Sequence, residues 1–206
     1  MQRFFILAIA VACCSVALAD PEAGWEVMFN GKNLTGWKVN EHQDAVRVED
    51  GLIVVQGKRA HAFYMGKDGK ADFKNFVMQA EVMTEPQANS GIYFHTKYQD
   101  DGWPSKGYEC QVNNTQSDPK KTGGLYNVQD NFKAPAKDNE WFKYEIEVQG
   151  KHIVVRINDR IISAYTEPKD LDRPERQVDH GTFALQAHDP GSKVYYRNMR
   201  VKRLPD

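Results

Sequence analysis

Residues 141–165 read WFKYEIEVQGKHIVVRINDRIISAY, and the stretch divides at two short turns. Trp141 to Gln149 ends at Gly150-Lys151, His152 to Ile157 ends at Asn158-Asp159, and Arg160 to Tyr165 completes the run. Segments rich in β-branched and aromatic residues, joined by two-residue connections of Gly, Asn and Asp, predict a meander of antiparallel strands.

The same punctuation extends in both directions. Phe29-Asn30-Gly31 and Leu34-Thr35-Gly36-Trp37 mark turns near the start, and Ala45 to Val48, Glu49-Asp50-Gly51 and Leu52 to Val55 read as a hairpin. Asn75 to Met83, Ser90 to Thr96, Tyr108 to Asn113, Gly181 to His188 and Lys193 to Arg203 read as further strands. Little of the chain has helical period, and it holds no fixed repeat and no linker rich in Gly, Ser or Pro. About ten to twelve short strands with regular turns predict an all-β, two-sheet antiparallel β-sandwich or jelly roll. Two polar loops, Lys97 to Gly107 (KYQDDGWPSKG) and Asn114 to Gly124 (NTQSDPKKTGG), flank the strand carrying Glu109. Loops of that length are uncommon in compact domains and often functional.

The 206 residues suit one domain with a sizeable core, and disorder and collagen are excluded by composition. Lys plus Arg (27) nearly cancels Asp plus Glu (28), so no general field favours nucleic acid or an anionic membrane surface. Met1-Gln2-Arg3, an apolar run from Phe4 to Ala12 and Cys13-Cys14-Ser15-Val16-Ala17-Leu18-Ala19 read as a secretory signal, with cleavage expected after Ala19. The run is shorter than the roughly 20 apolar residues of a membrane span. The expected product is a secreted or periplasmic domain over residues 20–206. Cys110 is then the remaining cysteine, and its parity with Tyr108 and Val112 predicts a buried, inert thiol.

Side chains alternate across a strand, so each segment sorts into two faces. Ile92 and Phe94 oppose Tyr93 and His95. Tyr108, Cys110 and Val112 oppose Glu109, Gln111 and Asn113. Phe183, Leu185 and Ala187 oppose Ala184, Gln186 and His188, while Tyr195 and Arg197 share a face in the last strand. The outward set is rich in amides, imidazoles and phenols. Such groups with nearby rings suit a concave face that binds a polyol, the amides and carboxylate meeting hydroxyls and the rings meeting the apolar side of a sugar.

Ordinary glycoside hydrolysis uses two carboxylates flanking the scissile bond. Here Glu109, Gln111 and Asn113 occupy the i, i+2 and i+4 positions of one strand, and two of the three are amides. The chain carries no His-Glu-x-x-His, Gly-x-Ser-x-Gly or Gly-rich phosphate motif. His95, Glu109 and His188 are good ligands for a divalent metal ion if they converge, though their spacing is no standard metal motif.

Five motifs carry a resemblance. Phe29-Asn30-Gly31-Lys32-Asn33-Leu34-Thr35-Gly36-Trp37, Asn89-Ser90-Gly91-Ile92-Tyr93-Phe94-His95, Gly107-Tyr108-Glu109-Cys110-Gln111-Val112, Thr122-Gly123-Gly124-Leu125-Tyr126, and Leu185-Gln186-Ala187-His188 with Tyr196-Arg197-Asn198-Met199 resemble the 3-keto-disaccharide hydrolase family. The resemblance implies a concanavalin-like jelly roll and an exported protein acting on 3-keto glycosides. Two departures stand out: the family's His-Gly is His188-Asp189-Pro190-Gly191 here, and its Asn-Glu-Trp-Asn is Asn139-Glu140-Trp141-Phe142.

A ketone at C3 acidifies the C2 proton and places the glycosidic oxygen at C1 β to the carbonyl. Elimination followed by hydration then equals hydrolysis, and needs one general base, donors or a metal for the enolate oxygen, and an acid for the leaving group. Under this reading His95, Glu109 or His188 supplies the base or holds a metal. Arg197, Lys121 or a metal stabilises the enolate, and Gln111, Gln186, Tyr93 and Tyr126, with Asn113 on the same face, meet the sugar. The rival readings are a non-catalytic carbohydrate-binding module on the same fold and an adhesion module, for which the sequence shows no clear apolar patch.

Overall fold

The computed structural model describes residues 22–173 and 176–206, so the expected signal segment lies outside the described residues. The described chain forms thirteen strands, all paired antiparallel, and one 3-10 turn at Gln43–Ala45. They are β1 (Trp25–Val27), β2 (Trp37–Val39), β3 (Val46–Glu49), β4 (Leu52–Val55), β5 (Ala60–Tyr64), β6 (Phe76–Thr84) and β7 (Asn89–Thr96). The rest are β8 (Tyr108–Asn113), β9 (Phe142–Gln149), β10 (His152–Ile157), β11 (Arg160–Thr166), β12 (Thr182–Ala187) and β13 (Val194–Arg203). No helix among the described residues is long and apolar enough to cross a membrane.

The expected two-sheet antiparallel sandwich is what forms. One sheet has eight strands in the order β11-β10-β9-β6-β13-β4-β3, with β1 pairing β13; the other has five in the order β2-β5-β12-β7-β8. The meander is β9-β10-β11, and its second turn puts Asn158 and Asp159 at positive φ, as does the β3-β4 turn at Asp50 and Gly51. Two residues with positive φ give the turn twist that suits a hairpin. The core lies between the sheets, where Phe76, Met78, Tyr144, Ile146, Tyr196 and Val201 meet Ile92, Phe94, Tyr108, Cys110 and Leu185. Cys110 is fully buried and burial pushes its thiol up, in keeping with an inert role.

The two sheets differ on their outer faces. In the large sheet β6 and β9 alternate buried and partly exposed residues, the pattern of a sheet with one wet face. In the small sheet β5, β7, β8 and β12 are buried at every position. Something covers its outer face, where Phe63, Tyr93 and Ala184 form a second apolar cluster with Met65 and Tyr98 against them. Tyr98 belongs to the Lys97–Gly107 loop and meets Phe63 edge-on at 5.3 Å. Strand β5 is absent from the sequence reading because it is buried on both faces, so its residues show no alternation.

Candidate active site

Glu109 sits at the centre of the covered face. Register pairs Tyr93 with Glu109 and Gly91 with Gln111 across β7 and β8, and Ala184 with Tyr93 and Gln186 with His61 across β12 and its neighbours. Directly paired residues point to one side of a sheet, so Glu109, Tyr93, Gln111, Gln186 and His61 share the face. The carboxylate receives a hydrogen bond from the Tyr93 hydroxyl at 2.7 Å and one from the Gln186 amide at 3.0 Å; the same amide lies 3.1 Å from the Tyr93 oxygen. Glu109 is 7% exposed, and burial raises its pKa against the lowering effect of these donors and of Arg176 and His188. Burial also raises Tyr93 well above an ordinary phenol, which keeps it a donor.

This group opens into a cleft of about 390 Å³ lined by Asn89, Tyr93, Trp103, Glu109, Gln111, Asp118, Tyr126, Arg176, Gln186 and His188. Three elements supply the rim. The Lys97–Gly107 loop contributes Trp103, which packs 5.5 Å from the His61 ring and 5.6 Å from that of His188. Its placement is fixed by the Gly102 N–H donating to Glu41 and by Arg59, which pairs with Glu41 and lies over the Trp103 ring. The 121–126 segment runs beside β8, and the Tyr126 N–H donates to the Glu109 carbonyl at 2.9 Å. Arg176 comes from a loop anchored where the buried Glu167 accepts the Tyr108 hydroxyl and the Val178 N–H.

His188 carries its own orienting carboxylate. Its Nδ1 lies 2.8 Å from Asp189, whose carboxylate also accepts from Ser192 at 2.7 Å and from the Gly191 N–H. The departure from His-Gly at this point thus supplies a partner that fixes the imidazole and leaves Nε2 available. The other departure lies away from the cleft: Phe142 is in the core, and Trp141 stacks under Arg197 on the large sheet.

Of the residues expected from the sequence, Glu109, His188, Tyr93, Gln111, Tyr126 and Gln186 gather at the cleft. Four do not. His95 is displaced by a bulge: three steps on β7 from Tyr93 to Thr96 oppose two on β12 from Ala184 to Thr182, and His95 takes φ 52°. It faces a separate, larger cleft of about 630 Å³ with Asp72, Asp179 and His180. There its Nε2 lies 2.9 Å from the Lys74 carbonyl, its Nδ1 accepts from the Asp179 N–H, and burial lowers its pKa to about 4. It is a satisfied neutral histidine packed on Phe76. The expected convergence of His95, Glu109 and His188 on a divalent ion is therefore not met, and no three His, Cys, Asp or Glu side chains gather in ion-binding fashion among the described residues.

Arg197 is on β13 of the opposite sheet, where it donates to Glu81 at 2.7 Å; alternation assigns a side chain to a face but cannot say which sheet the strand joins. Asn113 has the expected parity, but its amide donates to the Asp118 and Lys120 carbonyls and its oxygen accepts from the Gln116 N–H. Lys121 donates to the Gln116 and Asp118 carbonyls. Both hold the 114–122 loop rather than line the cleft. Sequence reasoning missed Asp118, Arg176 and Asn89. Asp118 and Arg176 stand on loops, where no periodicity marks direction.

A two-sheet antiparallel sandwich with a buried carboxylate, amides and aromatic rims under loops defines the class: a jelly-roll fold with a polar cleft on one sheet face. The chain belongs to the family of the 3-keto-alpha-glucoside-1,2-lyase-like domain, whose model matches residues 24–202. Among solved structures it is similar to a provisionally assigned glycosyl hydrolase from Parabacteroides distasonis, at 22% identity and a TM-score of 0.74, over 88% of this chain and 94% of that one. A non-specific endo-β-1,3(4)-glucanase aligns at 13% identity and a TM-score of 0.57, over 87% of this chain and 91% of that one. A carbohydrate-binding module from Bacillus subtilis aligns at 12% identity and 0.52, over 87% and 95%. These likenesses show the fold. No curated protein matches the chain significantly. Family and fold together support a carbohydrate-active role.

Proposed function

We propose that this chain is an exported enzyme that cleaves the glycosidic bond of 3-keto sugars by elimination and rehydration, with Glu109 as the base. The observation that carries the reading is the Glu109 carboxylate itself: buried, raised in basicity by that burial, and held by Tyr93 and Gln186 in a sugar-sized cleft. Glu109 takes the proton from C2, and the electron pair moves into the C2–C3 bond, placing negative charge on the C3 oxygen. The enolate then re-forms the ketone, a C1–C2 double bond appears, and the C1–O bond breaks. His188, oriented by Asp189, delivers a proton to the departing alcohol. Water adds at C1 and a proton returns to C2, giving a free 3-keto sugar. The family's description as 3-keto-alpha-glucoside-1,2-lyase-like supports this sequence of steps. The signal-like residues 1–19 support export.

Asp118 in the cleft lining favours a second reading, ordinary hydrolysis between two carboxylates. One experiment separates them. The protein is offered a disaccharide oxidised at C3 and the unoxidised parent, beside its Glu109→Gln and Asp118→Asn variants. Elimination predicts turnover of the keto sugar alone, lost in Glu109→Gln and largely kept in Asp118→Asn. Cleavage of the parent, lost in both variants, would establish the hydrolytic reading instead. Binding of both sugars with no cleavage would make the protein a carbohydrate-binding module.

A further inference from the structure

His61 is the least satisfied polar side chain in the described structure. It is wholly buried on β5, and neither ring nitrogen has a hydrogen-bond partner. A buried polar group without a partner is destabilising, so the two ring nitrogens call for a partner that the described residues do not supply. The surroundings say where such a partner would lie. His61 pairs in register with Gln186, whose Oε1 is also buried and unpartnered, as is the Oε1 of Gln111 one strand beyond β7. Its ring meets Tyr93 edge-on at 5.4 Å and Trp103 edge-on at 5.5 Å, and both of those residues line the cleft at Glu109. Four orphaned polar atoms on three side chains of one sheet face thus flank the one buried carboxylate of that face.

The charge state limits what His61 can do. Burial lowers its pKa to about 3, so near neutral pH the ring is uncharged, with one N–H to donate and one nitrogen to accept. A neutral imidazole in a dry site polarises a carbonyl by donating to it, with no proton transfer.

We infer that His61 is a substrate-contacting residue whose N–H is held for the C3 ketone oxygen, where it stabilises the enolate that forms when Glu109 removes the C2 proton. This rests on the elimination reading above and names the donor that reading needs. Arg197 and Lys121 are too far committed elsewhere to serve. The His61 N–H stays on the ring throughout; it strengthens a hydrogen bond as charge develops on oxygen, the requirement for transition-state rather than ground-state binding. Trp103, 44% exposed and carried on the Lys97–Gly107 loop, packs edge-on against the buried His61 ring, so contact between His61 and the sugar requires the Trp103 ring to move aside.

The test uses the full mature chain and a 3-keto disaccharide. His61→Phe keeps a ring between Tyr93 and Trp103 but removes the donor, and His61→Gln keeps a donor. With wild type active, His61→Phe should lose about 100-fold or more in kcat, with KM changed only a few-fold, and His61→Gln should recover part of it. Ring ¹⁵N–¹H spectra of the inactive Glu109→Gln variant give a readout that a packing role would not move. The His61 N–H proton should shift downfield on adding the keto disaccharide and not on adding its unoxidised parent. Wild-type kcat in His61→Phe, or an unmoved His61 resonance in a saturated Glu109→Gln complex, would overturn the inference and leave the elimination reading standing. Inactivity of wild type on the keto sugar would overturn both. If neither variant folds, the ring spectra decide.

Discussion

The Glu109 carboxylate lies across Gly91, so close that a Cβ on residue 91 would come within 2.4 Å of Oε1 and 3.0 Å of Cδ. The two residues are on adjacent strands, and the missing side chain on β7 is the space in which the carboxylate rests. This explains why the Asn-Ser-Gly segment needs its glycine although that glycine is not at positive φ. Gly91→Ala should push the flexible end of Glu109 off its bonds with Tyr93 and Gln186 while leaving the backbone in place. Turnover of a 3-keto disaccharide should fall about 100-fold, the scale of a 1 Å misplacement, with the protein still folded by circular dichroism. Unchanged turnover would show that the carboxylate's position is not what matters.

Glu109→Gln should remove activity and stabilise the fold. The folded pKa of Glu109 is raised above its ordinary 4.5. As pH rises from there the unfolded chain ionises first, the folded state holds the extra proton, and stability is lost through the window up to the folded pKa. The variant cannot ionise and escapes that loss. Its melting temperature should match wild type near pH 4 and exceed it at pH 7; a lower value at pH 7 would contradict the raised pKa.

Acid should destabilise the protein through two histidines. His61 and His95 ordinarily titrate near 6.5, but burial holds them neutral in the fold down to about 3 and about 4. Between those values the unfolded chain binds the extra protons, so stability falls as the solution is acidified below about pH 6.5. In His61→Phe the slope of melting temperature against pH over pH 4–6.5 should shrink, and an identical slope would refute the assignment.

Arg197→Ala should leave turnover within about twofold of wild type, because the guanidinium pairs with Glu81 and covers Trp141 on the other sheet. The half-exposed ion pair is worth about 1 kcal/mol at most, so the melting temperature should fall by only a few degrees. A large loss of activity would place Arg197 in the site after all.

The sequence made ten strands and the sandwich legible, because β6, β9 and the β9-β10-β11 meander obey alternation and turn chemistry. Alternation also found Glu109, Gln111, Gln186 and Tyr93, whose strands are regular. It failed at His95, where one extra residue in β7 reverses the parity, and at β13, whose sheet no local pattern discloses. His61 escaped notice for the opposite reason: β5 is buried on both faces, so a polar residue there has no contrast with its neighbours. Asn113 was placed correctly and still misjudged, since loop carbonyls contributed by later residues engage its amide.

The central claim is that cleavage proceeds by removal of the C2 proton by Glu109. The most direct measurement follows a 3-keto disaccharide and its unoxidised parent with the enzyme in D₂O by NMR. The account predicts that the parent is untouched, and that the keto sugar is cleaved to a product carrying deuterium at C2, with Glu109→Gln giving neither cleavage nor exchange. Cleavage that leaves the C2 proton in the product, or cleavage of the parent at a comparable rate, would contradict it.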